Sequence, residues 1–350
     1  MIRSLSVFAV SLLTGLLVPG AAPAAETPVA EDVLDLLQIS PEQRRQLVRG
    51  EIVSYPVAEH SASELAVGLA VFVPVPTRQL GEHLVAGQLI AEDSTISDFG
   101  IVPESAPSDA WSGARFTENE RTEAENLLDA SPGSRFNLSP AEIQALRAMR
   151  DTSDRAGRST VVETVSEAYR RLLRRRLQAY RQNGLAAITP YARKGGAVTD
   201  PAPHLRLAAS DAERLPRSGP ELHEALLHYP SAQPPQTVHR FYWIKRRVQR
   251  RPDLSLLHQM VGPGPDPVIH VERYFYVGHS YNAGQILTGA FAYQEGTVVF
   301  TTCRFSTDEV LGIANQLKRS VGRGQLRDEM RRRLDRLRAL VSQPLPVQSP

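Results

Sequence analysis

The sequence contains a single cysteine, Cys303. No intramolecular disulfide can form, so the chain must fold without one. On a strand, Cys303 reads as a small buried apolar side chain, because a nucleophilic role needs an activating base beside it. An excess of one charge is missing too: 40 Lys and Arg stand against 38 Asp and Glu, a net charge of +2. That balance lacks the basic footprint of a nucleic-acid binder. Past the N-terminus there is no long hydrophobic run. Leu65 to Pro76 is the most apolar stretch, far short of the roughly 20 residues a membrane helix needs. Its Val, Leu and Phe content suits a strand buried on both faces.

Metal-ligand spacing is also absent. His223 and His228 are five apart and do not share a helical face as an i,i+4 pair would. His258 and His270 fall on different expected strands, which leaves open a meeting in space. Zinc needs three or four closing ligands, so neither a metal nor a cofactor is expected.

What is present begins with an N-terminal address. Arg3 supplies one positive charge, Leu5 to Val18 is apolar, and Pro19-Gly20 ends that run. Ala22-Pro23-Ala24 then offers a small-residue cleavage pattern. This is the layout of a cleaved secretory signal peptide over residues 1–24. Its core of about 14 residues is short for a span. The segment has no Arg-Arg pair, and no Cys follows the small residues, so neither the twin-arginine route nor a lipid anchor is expected. The mature chain is expected to be periplasmic or secreted, with no transmembrane segment.

Residues 25–110 read as a helical lead-in and the first strands. Ser40-Pro41-Glu42-Gln43 is a capping box with proline at the first helical position. Strands are expected at Glu51–Val57, Glu64–Val75 and Ser97–Val102, with a helix after Thr77. Residues 111–194 form a helical insertion. Capping boxes at Thr117 and Ser139 open two helices, and a long helix from about Thr160 to Gln182 ends at Asn183-Gly184. Residues 195–237, punctuated by seven prolines, read as a loop-rich surface insertion with one short helix near Glu221–His228. Residues 238–342 carry expected strands at His239–Val248, Leu254–Val261, Val268–Gly278, Gln285–Tyr293 and Thr297–Phe305. Ser306-Thr307-Asp308-Glu309 reads as a capping box opening a helix. A final helix then aligns Leu326, Met330, Leu334, Leu337 and Val341 on one face, with Arg327, Arg331, Arg332, Arg333, Arg336 and Arg338 on the others. Residues 343–350 are expected to be a disordered tail.

The expected fold class is α+β: an antiparallel sheet packed on a long C-terminal helix, with a helical middle segment. This order, with Val71-Phe72-Val73-Pro74-Val75-Pro76 leading into a helix, resembles the helix-grip organisation of START-like lipid-binding domains. The resemblance covers the two ends of the chain and is architectural. It implies a curved sheet around a cavity and a hydrophobic or amphipathic ligand. A second resemblance joins Tyr274, His279, Tyr281, Arg304, Ser306, Asp308, Lys318 and Arg319 to a pattern in uncharacterised exported bacterial proteins, and it implies no activity.

Gly278-His279-Ser280-Tyr281-Asn282 begins like a nucleophile elbow but has Asn in the place of the last Gly. Hydrolases with that elbow place their histidine downstream of the serine, and His279 is the last histidine of the chain. No catalytic residue is therefore assigned. The strand around Glu272 is dense in aromatics. Period-two alternation puts Val271, Arg273, Phe275 and Val277 on one face, and Glu272, Tyr274 and Tyr276 on the other, a suitable lining for an amphipathic ligand. The expected ligand-binding residues are Tyr274, Tyr276, His279, Tyr281 and Arg304. Arg304 is also a candidate for an ion pair with Asp308, or for an anionic head group together with Lys318, Arg319 and Arg323. The run Arg170-Arg171, Arg174-Arg175-Arg176 is either a solvated helix face or an attraction to anionic lipid or envelope polymer. Three functions fit: a carrier of a lipid or amphipathic small molecule, an envelope hydrolase built on Glu272, His279 and Tyr281, and an envelope interaction protein using its basic helices.

Overall fold

The chain alternates apolar side chains along its C-terminal segments, and these pair into one large sheet. A computed structural model describes residues 29–343 except 106, 134, 154–160, 217–218, 236, 263–266 and 313. The expected signal segment and residues 344–350 of the expected tail lie outside the described residues.

Helices α1 (Val29–Leu36) and α2 (Pro41–Val48) come first, followed by strands β1 (Val53–Tyr55) and β2 (Glu64–Val73). Helices α3 (Thr77–Val85) and α4 (Gln88–Ala91) lead to β3 (Ile96–Ile101). The middle holds α5 (Arg121–Leu128), α6 (Pro140–Ser153), α7 (Val161–Asn183), a small hairpin of β4 (Tyr191–Ala192) and β5 (Val198–Thr199), then α8 (Ala202–Ala208), α9 (Ser210–Glu213) and α10 (Gly219–His228). The chain returns with β6 (Val238–Val248), β7 (Arg251–Val261), β8 (Val268–Tyr276), β9 (Ala283–Tyr293), β10 (Gly296–Ser306) and α11 (Asn315–Val341). The sheet is antiparallel in the order β1-β2-β10-β9-β8-β7-β6-β3. The class is α+β, with a large antiparallel sheet and helices.

Both sheet faces are covered, which is why strands such as β8 are buried along their whole length. One face takes α3, α4 and α11, with Val67, Leu69, Val71, Leu257, Ile286 and Val299 turned toward them. Met330, Leu334, Leu337 and Val341 of α11 are buried there. Each contributes roughly 1.5–3 kcal/mol at most. The other face takes the helical insertion, through Phe241, Leu254, Leu256 and Phe275 against Leu173, Leu177 and Tyr180 of α7. It also takes α1, α9 and α10 against Ala70, Met260, Leu287 and Phe300. Lys245 pins the insertion to β6: its Nζ donates to the Glu120 carboxylate at 2.6 Å and to the Arg115 carbonyl at 2.8 Å.

Several expectations need correction. Residues 195–237 contain three helices, α8 to α10. Pro201 is the N-cap of α8, and Pro203 and Pro220 sit at the second positions of α8 and α10, where a missing N–H costs nothing. Thr307 caps only a short 3-10 turn over Asp308–Val310, and α11 starts later, at Asn315. Arg333 is buried against the sheet rather than solvated. His258 and His270 lie on opposite faces, because the β7–β8 register pairs His258 with Arg273 and His270 with Val261. In the arginine run, Arg176 is buried on Glu142 at 2.6 Å, and Arg170 pairs with Glu163 and Glu167.

Candidate functional site

On the α11 face the sheet presents polar side chains as well as apolar ones. At its centre, Glu272 of β8 accepts from the Arg333 guanidinium of α11, and both are buried. Gln259 Nε2 lies 2.8 Å from His270 Nε2, and the Gln259 carbonyl oxygen accepts from the Tyr242 hydroxyl at 3.0 Å. The Gln259 amide can only donate to His270, so the His270 proton sits on Nδ1. Burial lowers the His270 pKa to about 4 despite the nearby Glu272 carboxylate, and the ring is neutral at pH 7. Among the described residues, His270 Nδ1, Glu272 Oε2 and Thr301 Oγ1 are buried without a hydrogen-bond partner.

At one end of this face the packing opens. The first half of α11, with β2, β6 and the β8–β9 turn, borders a groove of about 680 Å³, lined by Leu65, Arg246, Tyr281, Phe305, Val321 and Leu326 among others. The helix approaches β2 closely at Gly322, where a Cβ would sit 2.8 Å from a Leu65 methyl. One turn apart on the N-terminal side of that contact, Leu317 and Val321 are 67% and 53% exposed. Behind the groove, the ring centroids of Tyr281 and Phe305 lie 4.9 Å apart at 84°, and Tyr274 lies 6.2 Å from Phe305. Arg246 Nη2 donates to the Tyr274 hydroxyl at 2.8 Å. Burial raises the pKa of the Tyr274 and Tyr281 hydroxyls above its ordinary value, so both stay protonated at neutral pH. Among the described residues, Arg246 Nε is buried without a hydrogen-bond partner.

Of the five residues picked out from the sequence, Tyr274 and Tyr281 come together here, the second directly on the groove. Tyr276 does not. The register slips by one residue between Leu256 and Leu257, so Leu256 pairs with Tyr276 while Leu257 pairs with Tyr274. Tyr276 thereby turns to the insertion face, where its hydroxyl meets that of Tyr169 at 2.9 Å and Arg176 stacks on its ring. Val277 turns the opposite way, into the α11-face core. His279 sits beside the groove. Its Nδ1 is 2.6 Å from Ser280 Oγ, and Ser280 lines the groove.

Arg304 is on the insertion face, alternating with Cys303, and makes a two-pronged contact with Asp211 at 2.6 and 2.9 Å plus one with Glu64 at 3.3 Å. It does not pair with Asp308, which instead accepts from Arg193 at 2.7 Å. Nor does it join Lys318, Arg319 and Arg323 on one anion: Arg319 and Arg323 lie on Glu59. Cys303 is buried in the α11-face core, and burial raises its thiol pKa far above neutrality.

Sequence reasoning missed Arg246 and Phe305. Arg246 sits in a strand otherwise read for its apolar alternation, and Phe305 was the end of an expected strand. Its alternation with Cys303 was the available signal, since both face α11. Among the described residues no cluster of three or more His, Cys, Asp or Glu could hold a metal ion, and no helix is long and apolar enough to cross a membrane.

No family model matches the chain, and no curated protein matches it. Among solved structures, the crystal structure of Ara h 8.0201 is similar over 79% of this chain and 97% of that chain, with 6% identity and a TM-score of 0.30. A likeness at that level has no bearing on function.

Proposed function

We propose that this chain is an exported carrier that holds a hydrophobic or amphipathic ligand in the groove between the sheet and the first half of α11. The observation behind this reading is the groove itself: about 680 Å³ with Leu65, Phe305, Val321 and Leu326 on its walls. Small-molecule sites are apolar clefts of this size with a few placed polar groups. Arg246 and Lys318 on the same groove would receive an anionic or strongly polar head, and the apolar wall a tail. The strand order from β2 through β10 to β3, with α3 and α4 between β2 and β3 and α11 across the sheet, supports a helix-grip-like reading of the fold. The N-terminal pattern of Arg3, an apolar run and Ala22-Pro23-Ala24 supports export to the periplasm or beyond.

Solvent extraction of the purified protein tests the proposal. The expected result is a co-purifying lipid or other amphiphile that is depleted when Val321 is replaced by Arg. Recovery of the same amphiphile from the Val321→Arg variant at wild-type level contradicts it.

A further inference from the structure

We propose that Ser280 and His279 form a nucleophile–base dyad on the wall of the groove, acting on an acyl ester whose tail lies along it. Ser280 has φ = +72°, a left-handed conformation that a non-glycine residue adopts at a cost of order 1–3 kcal/mol and keeps only where its surroundings impose it. They do so here. The Ser280 carbonyl accepts from Thr307 Oγ1 at 2.9 Å, the Asn282 N–H donates to Ser306 O at 2.6 Å, and the His279 N–H donates to Asp253 Oδ1 at 3.1 Å. Gly278 makes room for that carboxylate, since a Cβ there would sit 2.8 Å from Asp253 Oδ1.

The side chains are aligned for proton transfer. His279 Nε2 lies 3.1 Å from the Pro252 carbonyl, which can only accept, so Nε2 carries the proton and Nδ1 is left as a base. Nδ1 is 2.6 Å from Ser280 Oγ, so the hydroxyl donates to it. This is a base oriented by a third group, the arrangement that activates a serine. The histidine precedes its serine by one residue, unlike the elbow hydrolases. Burial keeps the imidazole neutral, and the buried Asp253 carboxylate favours the imidazolium that a reaction would create. Ser280 itself is partly exposed and lines the groove beside Tyr281.

The step balances. A bond forms from Ser280 Oγ to the ester carbonyl carbon as the hydroxyl proton moves to His279 Nδ1. The ester C–O bond breaks, and the leaving alkoxide takes that proton. Water then repeats the sequence on the acyl-serine and releases the carboxylic acid.

The dyad needs the groove as an entry path, whatever the groove retains. The test is covalent labelling of the full chain by two probes, a small dialkyl fluorophosphate and a long-chain alkyl fluorophosphonate, with the adduct mapped by mass spectrometry. In each, Ser280 Oγ displaces fluoride at phosphorus and His279 takes the proton. The expected result is an adduct on Ser280 that is absent from Ser280→Gly, a substitution suited to the positive φ. In His279→Gln the labelling rate should fall about 100-fold. Labelling by the small probe alone supports the dyad and counts against a tail-binding groove. No adduct on Ser280 with either probe, or wild-type labelling in a folded His279→Gln, overturns the proposal.

Discussion

Arg333 of the C-terminal helix donates to the Glu272 carboxylate at the middle of the sheet, with 5% and 0% of the two residues exposed. The pair ties α11 to β8 at the centre of the sheet. Removing one partner of a buried pair strands the other charge and costs about 3–5 kcal/mol. Arg333→Met is therefore expected to lose about that much stability in urea unfolding. The double variant Arg333→Met/Glu272→Leu, with no charge left behind, should recover most of it. Equal losses in the single and double variants would refute this account of the pair.

Acid should destabilise the fold below the ordinary histidine range. Burial lowers the pKa of His239, His258 and His279, and takes His204 and His270 to about 4. In each case the unfolded chain binds a proton, near pH 6.5, more readily than the folded chain. Stability is thus fully present above about pH 6.5 and falls as the pH drops from there toward 4, by up to about 1.4 kcal/mol per pH unit for each group. Urea midpoints at pH 7.5, 6 and 5 check this. A midpoint unchanged between pH 7.5 and 5 would contradict it.

Gly184 ends α7 with φ = +57°, and a Cβ there would meet the Tyr229 carbonyl oxygen at 1.8 Å. Backbone strain and a backbone clash coincide. Gly184→Ala should cost about 1–3 kcal/mol, whereas Gly195→Ala, with positive φ but open space around it, should cost less. Thermal melts of the two variants compare them directly.

Much of this was legible in the sequence, for identifiable reasons. β6 to β10 alternate or run apolar over long spans and end at turn residues, so the expected bounds of each strand lie within three residues of the observed ones. Residues 195–237 misled because prolines usually mark loops, whereas Pro201, Pro203 and Pro220 occupy the few helical positions that tolerate them. Period-two alternation puts Tyr276 on the wrong face because one extra residue in β8 reverses the pattern. The groove could not be read at all. It is formed by side chains of β2, β6, β10 and α11 that are far apart in the sequence, among them Gly322, which packs on Leu65 and looks unremarkable in a helical sequence.

The carrier proposal stands or falls on the groove. Titration of the purified protein with dodecanoate, followed by calorimetry, measures it most directly. The account predicts one saturable site in the wild-type chain and binding at least tenfold weaker in Val321→Arg, whose long cationic side chain would enter the groove from an exposed position. Equal dodecanoate affinity in the two folded proteins would contradict it.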